Sequence, residues 1–144
     1  MQVIFEKVQT KEQEKAVISA MEKTTEIQSA IELLESGGNT IPVMRDGTTY
    51  LCRLGAIYYI ESVDKRTYIY TKDGCFESKS RLYELEESLG GYFARCSKSM
   101  IVNLRKLNKV NSEFSGRMIA ELLNGEKIVI SRSYVKDIKR RLEV

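Results

Sequence analysis

A chain of 144 residues, 42% hydrophobic and 30% charged, has enough apolar material to bury a core and fits one domain with a short accessory segment. It has no histidine, three widely spaced cysteines and no apolar run near the roughly 18 residues of a membrane span. That excludes the usual zinc sets, a disulfide framework and histidine-activated nucleophiles, and it points to a reducing, cytoplasmic setting. The net charge of +3 is split unevenly: residues 1–40 carry four basic and seven acidic side chains, and residues 41–144 carry 19 basic and 13 acidic.

The first forty residues read as an accessory strand and helix segment, a small α+β piece. Val3, Phe5 and Val8 predict a strand near 2–8, and Ala16 to Met21 a second one. Glu6 and Lys7 interrupt the apolar stretch too early for a signal peptide. Thr25-Glu26-Ile27-Gln28 has the form of a capping box, and Ile27, Ala30, Ile31 and Leu34 follow at helical spacing. Gly37-Gly38 supplies a left-handed stop, and Asn39 to Pro42 marks the boundary with a second unit, 41–144.

Beyond Pro42 the pattern becomes short strands and tight turns. Asp46-Gly47, Asp73-Gly74, Ser115-Gly116 and Asn124-Gly125 are hairpin signals, because these pairs accept positive φ at little cost. The segments between turns predict strands near 41–45, 48–52, 56–61, 66–72, 75–79, 92–95, 99–103, 107–114, 117–123 and 126–130. About ten strands in a hundred residues imply a mainly β fold of antiparallel sheets rather than a βαβ arrangement. Two helices interrupt. One is capped by Ser80, has Leu82, Leu85 and Leu89 inward, and ends at Gly90-Gly91. The last starts near Ser131 to Ser133, with Val135, Ile138 and Leu142 inward and Lys136, Lys139, Arg140 and Arg141 outward.

Three segments carry a resemblance. Ala56-Ile57-Tyr58-Tyr59-Ile60-Glu61-Ser62, then Tyr92 through Leu104 (YFARCSKSMIVNL), then Ile128-Val129-Ile130-Ser131-Arg132-Ser133-Tyr134 resemble, in order and spacing, the LytTR family of DNA-binding domains. The resemblance covers residues 41–144. It implies an elongated arrangement of antiparallel sheets with short helices that reads two successive major grooves with loops at strand ends, and commonly bends the duplex. Carried over position by position, the loops correspond to Asp64-Lys65-Arg66-Thr67, to Ser97-Lys98-Ser99, and to Arg132-Ser133 with the start of the final helix. Where relatives commonly carry histidine this chain has Ser97, so Lys98 is the candidate to replace that contact. Many relatives carry a phosphorylated receiver domain. This chain has no room for one and reads as a stand-alone domain.

The side-chain chemistry agrees with that role. Arg66 and Arg132 each offer a guanidinium fork to guanine, while Lys65, Lys98 and Lys136 suit phosphate oxygens. Thr67, Ser97, Ser99 and Ser133 complete the DNA-binding set as hydroxyl donors, and the amide end of the last helix adds a positive dipole.

Each feature has a plainer reading. Lys65-Arg66 also suits a charged hairpin tip that blunts aggregation, and Arg132 an ordinary surface cation. Asn103 reads as a strand-closing residue bonded to nearby backbone, and Tyr58, Tyr59, Tyr68 and Tyr70 as packing residues. Cys96 reads first as a small buried side chain, although Arg95 and Lys98 beside it leave open a redox-sensitive thiolate.

No catalytic set, cofactor loop or metal cluster stands out, so the expectation is a non-enzymatic, sequence-specific regulator of double-stranded DNA. A homodimer on paired or repeated sites is expected, with any membrane or sensor partner encoded separately. The alternative is a protein-interaction module that keeps this fold without reading DNA.

Overall fold

The positive-φ turns set the strand boundaries. Asp46 and Gly47, at φ 51° and 76°, join β1 (Thr40–Arg45) to β2 (Thr48–Arg53) in a two-residue turn whose backbone only such residues adopt cheaply. In this computed structural model, which describes residues 1–35 and 39–144, the remaining strands are β3 (Ile57–Val63), β4 (Arg66–Thr71), β5 (Gly74–Ser78), β6 (Phe93–Ser97), β7 (Met100–Asn103), β8 (Leu107–Ser112), β9 (Met118–Leu122) and β10 (Lys127–Ile130). They form a seven-stranded antiparallel sheet in the order β2-β1-β5-β4-β3-β7-β6 and a three-stranded sheet in the order β10-β9-β8. All ten expected strands are present within a residue or two of their expected ends.

Strands β3, β7 and β6 of the seven-stranded sheet are buried on both faces, whereas the edge strand β2 is mostly exposed. Period-two alternation sends neighbouring residues to opposite sides, and a bulge between Ile57 and Tyr59 resets that alternation in β3. Ile57, Ile60, Ile69, Phe76, Phe93 and Ile101 pack with Leu82, Leu85 and Leu89 of α2 (Leu82–Ser88) and its exit. Tyr59, Ala94, Cys96 and Val102 face the other way, against Met118, Ala120, Leu122, Ile128 and Ile130 of the small sheet and Ile138 of α3 (Arg132–Leu142). Of the tyrosines expected as packing residues, Tyr58, Tyr59 and Tyr70 join the second core, where Tyr59 and Tyr70 stack with ring centroids 4.4 Å apart.

Several local expectations need correcting. Helix α1 (Thr25–Glu35) starts one residue earlier than the expected cap: Thr24 Oγ1 accepts the Ile27 N–H at 3.3 Å, and Gln28 donates to Glu32 instead of closing a capping box. The Gly37-Gly38 stop lies outside the described residues. Arg81, not Ser80, holds the cap position of α2, where the Glu84 carboxylate accepts the Arg81 N–H at 3.0 Å. Residues 2–8 and 16–21 are not strands within the single chain, because neither finds a hydrogen-bonded partner there. Only a short 3-10 turn, Lys11–Gln13, interrupts this exposed segment. Arg141 does not simply point outward: it donates to the Gly91 and Phe93 carbonyls at 3.1 and 2.8 Å and pins α3 to β6.

Helix α1 covers one end of the sheets. Glu32 pairs at 3.2 Å with Lys106, which is buried and lies 5.1 Å from the centre of the Tyr58 ring, and Glu35 pairs with Arg105. Gly55 allows the approach, since a Cβ there would stand 3.1 Å from the Glu32 Cβ. No described helix is long and apolar enough to cross a membrane.

Asn103 closes β7 from within. Its Nδ2 donates to the Ile57 carbonyl at 2.8 Å and its Oδ1 accepts the Arg105 N–H at 3.0 Å, with the side chain buried. Asn103→Ala leaves both backbone groups unsatisfied, so urea unfolding is expected to show a loss of about 1–3 kcal/mol.

Candidate nucleic-acid interface

Two backbone hydrogen bonds bring the three predicted tips to one end of the fold. β3 and β7 pair antiparallel, and the Ser62 N–H donates to the Ser99 carbonyl at 2.8 Å, which sets the β6–β7 turn beside the β3–β4 turn. The Ser131 N–H donates to the Cys96 carbonyl at 2.9 Å, which sets the start of α3 beside the β6–β7 turn. The cationic residues on these tips, Lys65, Arg66, Lys98, Arg132 and Lys136, are all exposed, as is Ser133. Helix α1 and its ion pairs lie at the opposite end, where β3 begins.

The first tip is a two-residue turn made of Asp64 and Lys65, at φ 50° and 66°, with Val63 paired to Arg66. Both central residues are left-handed, a conformation that costs a non-glycine residue about 1–2 kcal/mol. Arg66 extends from the turn and lies 3.6 Å from the Glu77 carboxylate, with its side chain 69% exposed. This is a weak surface pair that competes little with a stronger anion. Thr67, by contrast, is 4% exposed and turned into the fold, because its place in β4 alternates inward with Ile69. It offers no hydroxyl to an outside partner and drops out of the candidate set.

The second tip is braced from below. Arg95 donates to Glu86 of α2 at 2.8 and 3.0 Å and to the Lys98 carbonyl at 2.7 Å, which fixes the turn and leaves the Lys98 ammonium in solvent. The Ser97 Oγ accepts the Ser99 N–H at 3.2 Å and lies 3.4 Å from the Ser99 hydroxyl. Ser97 therefore shapes the turn, and Ser99 remains exposed.

Cys96 is fully buried beneath this tip. Its thiol lies 3.5 Å from the Met100 carbonyl, and burial raises its pKa to about 12 despite Arg95 nearby. The thiolate is thus negligible at neutral pH, and the redox reading loses its chemical basis.

The third tip is packed against a fourth. Gly116, at φ 89° in the β8–β9 turn, sits so close to Arg132 that a Cβ would fall 2.9 Å from the Arg132 Cδ. Phe114 in the same turn is fully exposed, and Arg117 there pairs with Glu113 at 3.3 Å. Lys136 follows Arg132 by one helical turn and shares its face.

The end of β5 adds cations with no local sequence signal. Thr67 pairs with Ser78, so Lys79 and Arg81 emerge at the same end, and both are exposed. Arg81, Arg95 and Lys98 line a shallow hollow with Ser62, Leu82 and Tyr83. Only the strand order reveals that this loop neighbours Arg66.

Comparisons with known proteins follow this geometry. The family described as the LytTr DNA-binding domain matches residues 47–143. An uncharacterised HTH-type transcriptional regulator of Staphylococcus aureus is 30% identical over 129 residues, 88% of this chain and 88% of its own length. The sensory transduction protein LytT of Enterococcus faecalis is 27% identical over 103 residues, 71% of this chain and 43% of its own length. A solved LytTr DNA-binding domain from Bacillus cereus superposes with a TM-score of 0.70 at 23% identity, covering 74% of this chain and 98% of that one. The helix-turn-helix label of the staphylococcal relative does not describe this fold, where strands separate each described α-helix from the next.

Two measurements test the geometry. Lys65→Gly is expected to raise stability by about 1 kcal/mol in chemical denaturation, since glycine removes the left-handed penalty. In thiol labelling of the native chain, exposed Cys75 is expected to react first, and Cys96 only after unfolding.

Proposed function

The chain belongs to the LytTr DNA-binding domain family, and from that premise we propose that it is a cytoplasmic transcription regulator that reads double-stranded DNA by sequence and performs no catalysis. The observation that supports this reading best is the side-by-side placement of Lys65 and Arg66, Lys98, and Arg132 with Lys136 on exposed tips at one end of the sheets. A duplex laid across that end meets several short cationic loops, a form suited to grooves and to the phosphates that border them.

In this reading Arg66 and Arg132 address base edges. Each projects from a fixed backbone point, and a bidentate contact to guanine gives about 1–3 kcal/mol of discrimination. Lys65, Lys98 and Lys136 meet phosphates, and Ser99 and Ser133 set the register. Ser97 steadies its turn rather than the DNA. Lys79 and Arg81 widen the phosphate track beyond the first tip. The first amides of α3, at Arg132 and Ser133, favour an anion at that point. The apolar Phe114 tip beside Arg132 suits contact with sugar or a base step. The staphylococcal relative's name as a transcriptional regulator supports the same class of activity. Occupancy of paired or repeated sites by a homodimer completes the proposal.

Selection from a random duplex library, followed by binding at increasing salt, tests it. Affinity is expected to fall steeply with salt, and the selected pool to contain a repeated motif. Arg66→Ala and Arg132→Ala are expected to relax preference at particular base pairs, by about 1–3 kcal/mol each. Lys98→Ala is expected to weaken all duplexes alike and to reduce the salt slope by about 1. Salt-insensitive binding, or equal losses on every duplex from the arginine changes, overturns the base-reading role.

A further inference from the structure

Residues 1–23 are exposed throughout, and none of their apolar side chains belongs to either hydrophobic core among the described residues. Met1, Val3, Ile4, Phe5, Val17 and Met21 are each more than 70% exposed. Among the described residues the order within this arm is local: the Gln13 side chain accepts from the Gln9 and Thr10 amides, the Lys11–Gln13 turn closes, and Lys11 pairs with Glu14. On either side of that turn the chain is extended and makes no backbone hydrogen bond to the rest of the described residues.

The composition of the arm is not that of a solvated tail. QVIFEKV and AVISAM are rich in β-branched and aromatic residues, which fit a pleated, half-buried surface. Disordered segments lack such residues. A patch of this kind on a folded chain marks a contact surface.

We infer that residues 1–24 form one half of a symmetric arm-to-arm interface that a second copy of this chain completes. Four observations select that occupant.

Charge is the first. The arm carries four lysines and four glutamates, so it is neutral and has no pull towards a polyanion, unlike the basic unit behind it. Strand number is the second. One arm supplies two strand segments, and an isolated two-stranded ribbon is marginal in water. Two arms supply four segments, and three or more with an apolar face are enough for independent stability.

Size is the third: 23 exposed residues a side falls within the roughly 20–30 of a standard interface. Position is the fourth. The arm leads into α1, which is latched by Glu32–Lys106 to the end of the sheets opposite the cationic tips, so joining two arms leaves both of those ends open.

The likeness to the staphylococcal regulator runs over 129 residues, more than the 47–143 span can hold, and so extends into the segment before it. Each copy offers the same surface and receives the same one, which closes the assembly at two.

This inference does not rest on DNA reading, and its test uses the whole chain without DNA. Sedimentation or light scattering at tens of micromolar is expected to give a dimer at both low and high salt, because the arm carries no net charge and its apolar side chains supply the contact. Phe5→Asp with Val17→Asp is expected to weaken association by at least ~100-fold. The same variant is expected to keep the wild-type unfolding midpoint when both are compared at concentrations where they are monomeric, since neither side chain packs on the body.

Leu51→Asp, on the exposed edge strand β2, serves as the comparison and is expected to remain dimeric. Amide exchange gives an independent reading: residues 2–8 and 16–21 are expected to be protected in the dimer and to lose protection on dilution. A wild-type chain that stays monomeric at these concentrations overturns the inference. So does a dimer that survives the arm changes, or one that Leu51→Asp dissociates instead.

Discussion

The pairing of β3 with β7 is the contact on which the rest of the molecule depends. It joins two hairpins that are far apart in sequence, through Tyr59–Val102, Ile60–Ile101 and Glu61–Met100, into one sheet. Register here is strongly specified, because both faces are buried. A slip of one residue would send Ile60 and Ile101 into the core that holds Tyr59 and Val102, and the reverse. The register that satisfies both cores also sets the β3–β4 and β6–β7 turns level with each other. The Ser62–Ser99 bond is the last step of that ladder. The placement of the cationic tips is thus a by-product of core packing.

The tips are also held from behind. Arg95 spans from Glu86 on α2 to the Lys98 carbonyl, so the helix that fills one core also stiffens the second tip. Arg141 anchors the far end of α3 to β6, and Ser131 anchors its near end to the same strand. Arg132 therefore starts from a backbone fixed at both ends of its helix. Contact residues that must match a groove need that kind of support, because a side chain on a loose loop loses its orientation. Two residues of suitable type for DNA contact, Arg95 and Arg141, are used instead as internal braces.

Many of the sheet strands were legible in the sequence because they flank turns at Gly47, Gly74, Gly116 and Gly125 that take left-handed backbone, and carry a strand-like apolar pattern. The second tip and the α3 start were legible through the resemblance. What stayed hidden depends on contacts between distant segments. The resemblance puts Thr67 in a loop beside Arg66, but the turn uses only Asp64 and Lys65, so Thr67 belongs to the strand expected at 66–72 and faces inward. Lys79 and Arg81 gain meaning only from strand order, and Arg95 only from the position of Glu86. The arm is a different case. Its apolar pattern is strand-like, yet residues 2–8 and 16–21 pair with no strand of the described chain, and no sequence pattern states where a partner would lie. Helix α1 was visible as a periodic stripe, whereas its latch through a buried lysine was not, since Lys106 carries no mark distinguishing it from the many solvated lysines.

The acidic residues near the tips bear on how selective this surface can be. Glu77 stands 3.6 Å from Arg66, Glu113 3.3 Å from Arg117, and Asp64 occupies the first turn itself. Exposed pairs of this kind are worth about 0–1 kcal/mol each, so giving one up to a phosphate or a guanine is a small cost. Yet these carboxylates lower the positive potential that any duplex would feel, whatever its sequence. Sequence-independent attraction scales with the number of phosphates neutralised, whereas a bidentate guanidinium contact depends on the base presented. Weak pairing of the tip arginines therefore trims the first effect more than the second. A surface of uncompensated lysines at the same positions would bind more tightly everywhere and discriminate less. On the proposed reading the interleaved charges favour recognition over simple adhesion, at an affinity cost that the proposed second copy, bound on the same duplex, would recover through effective concentration.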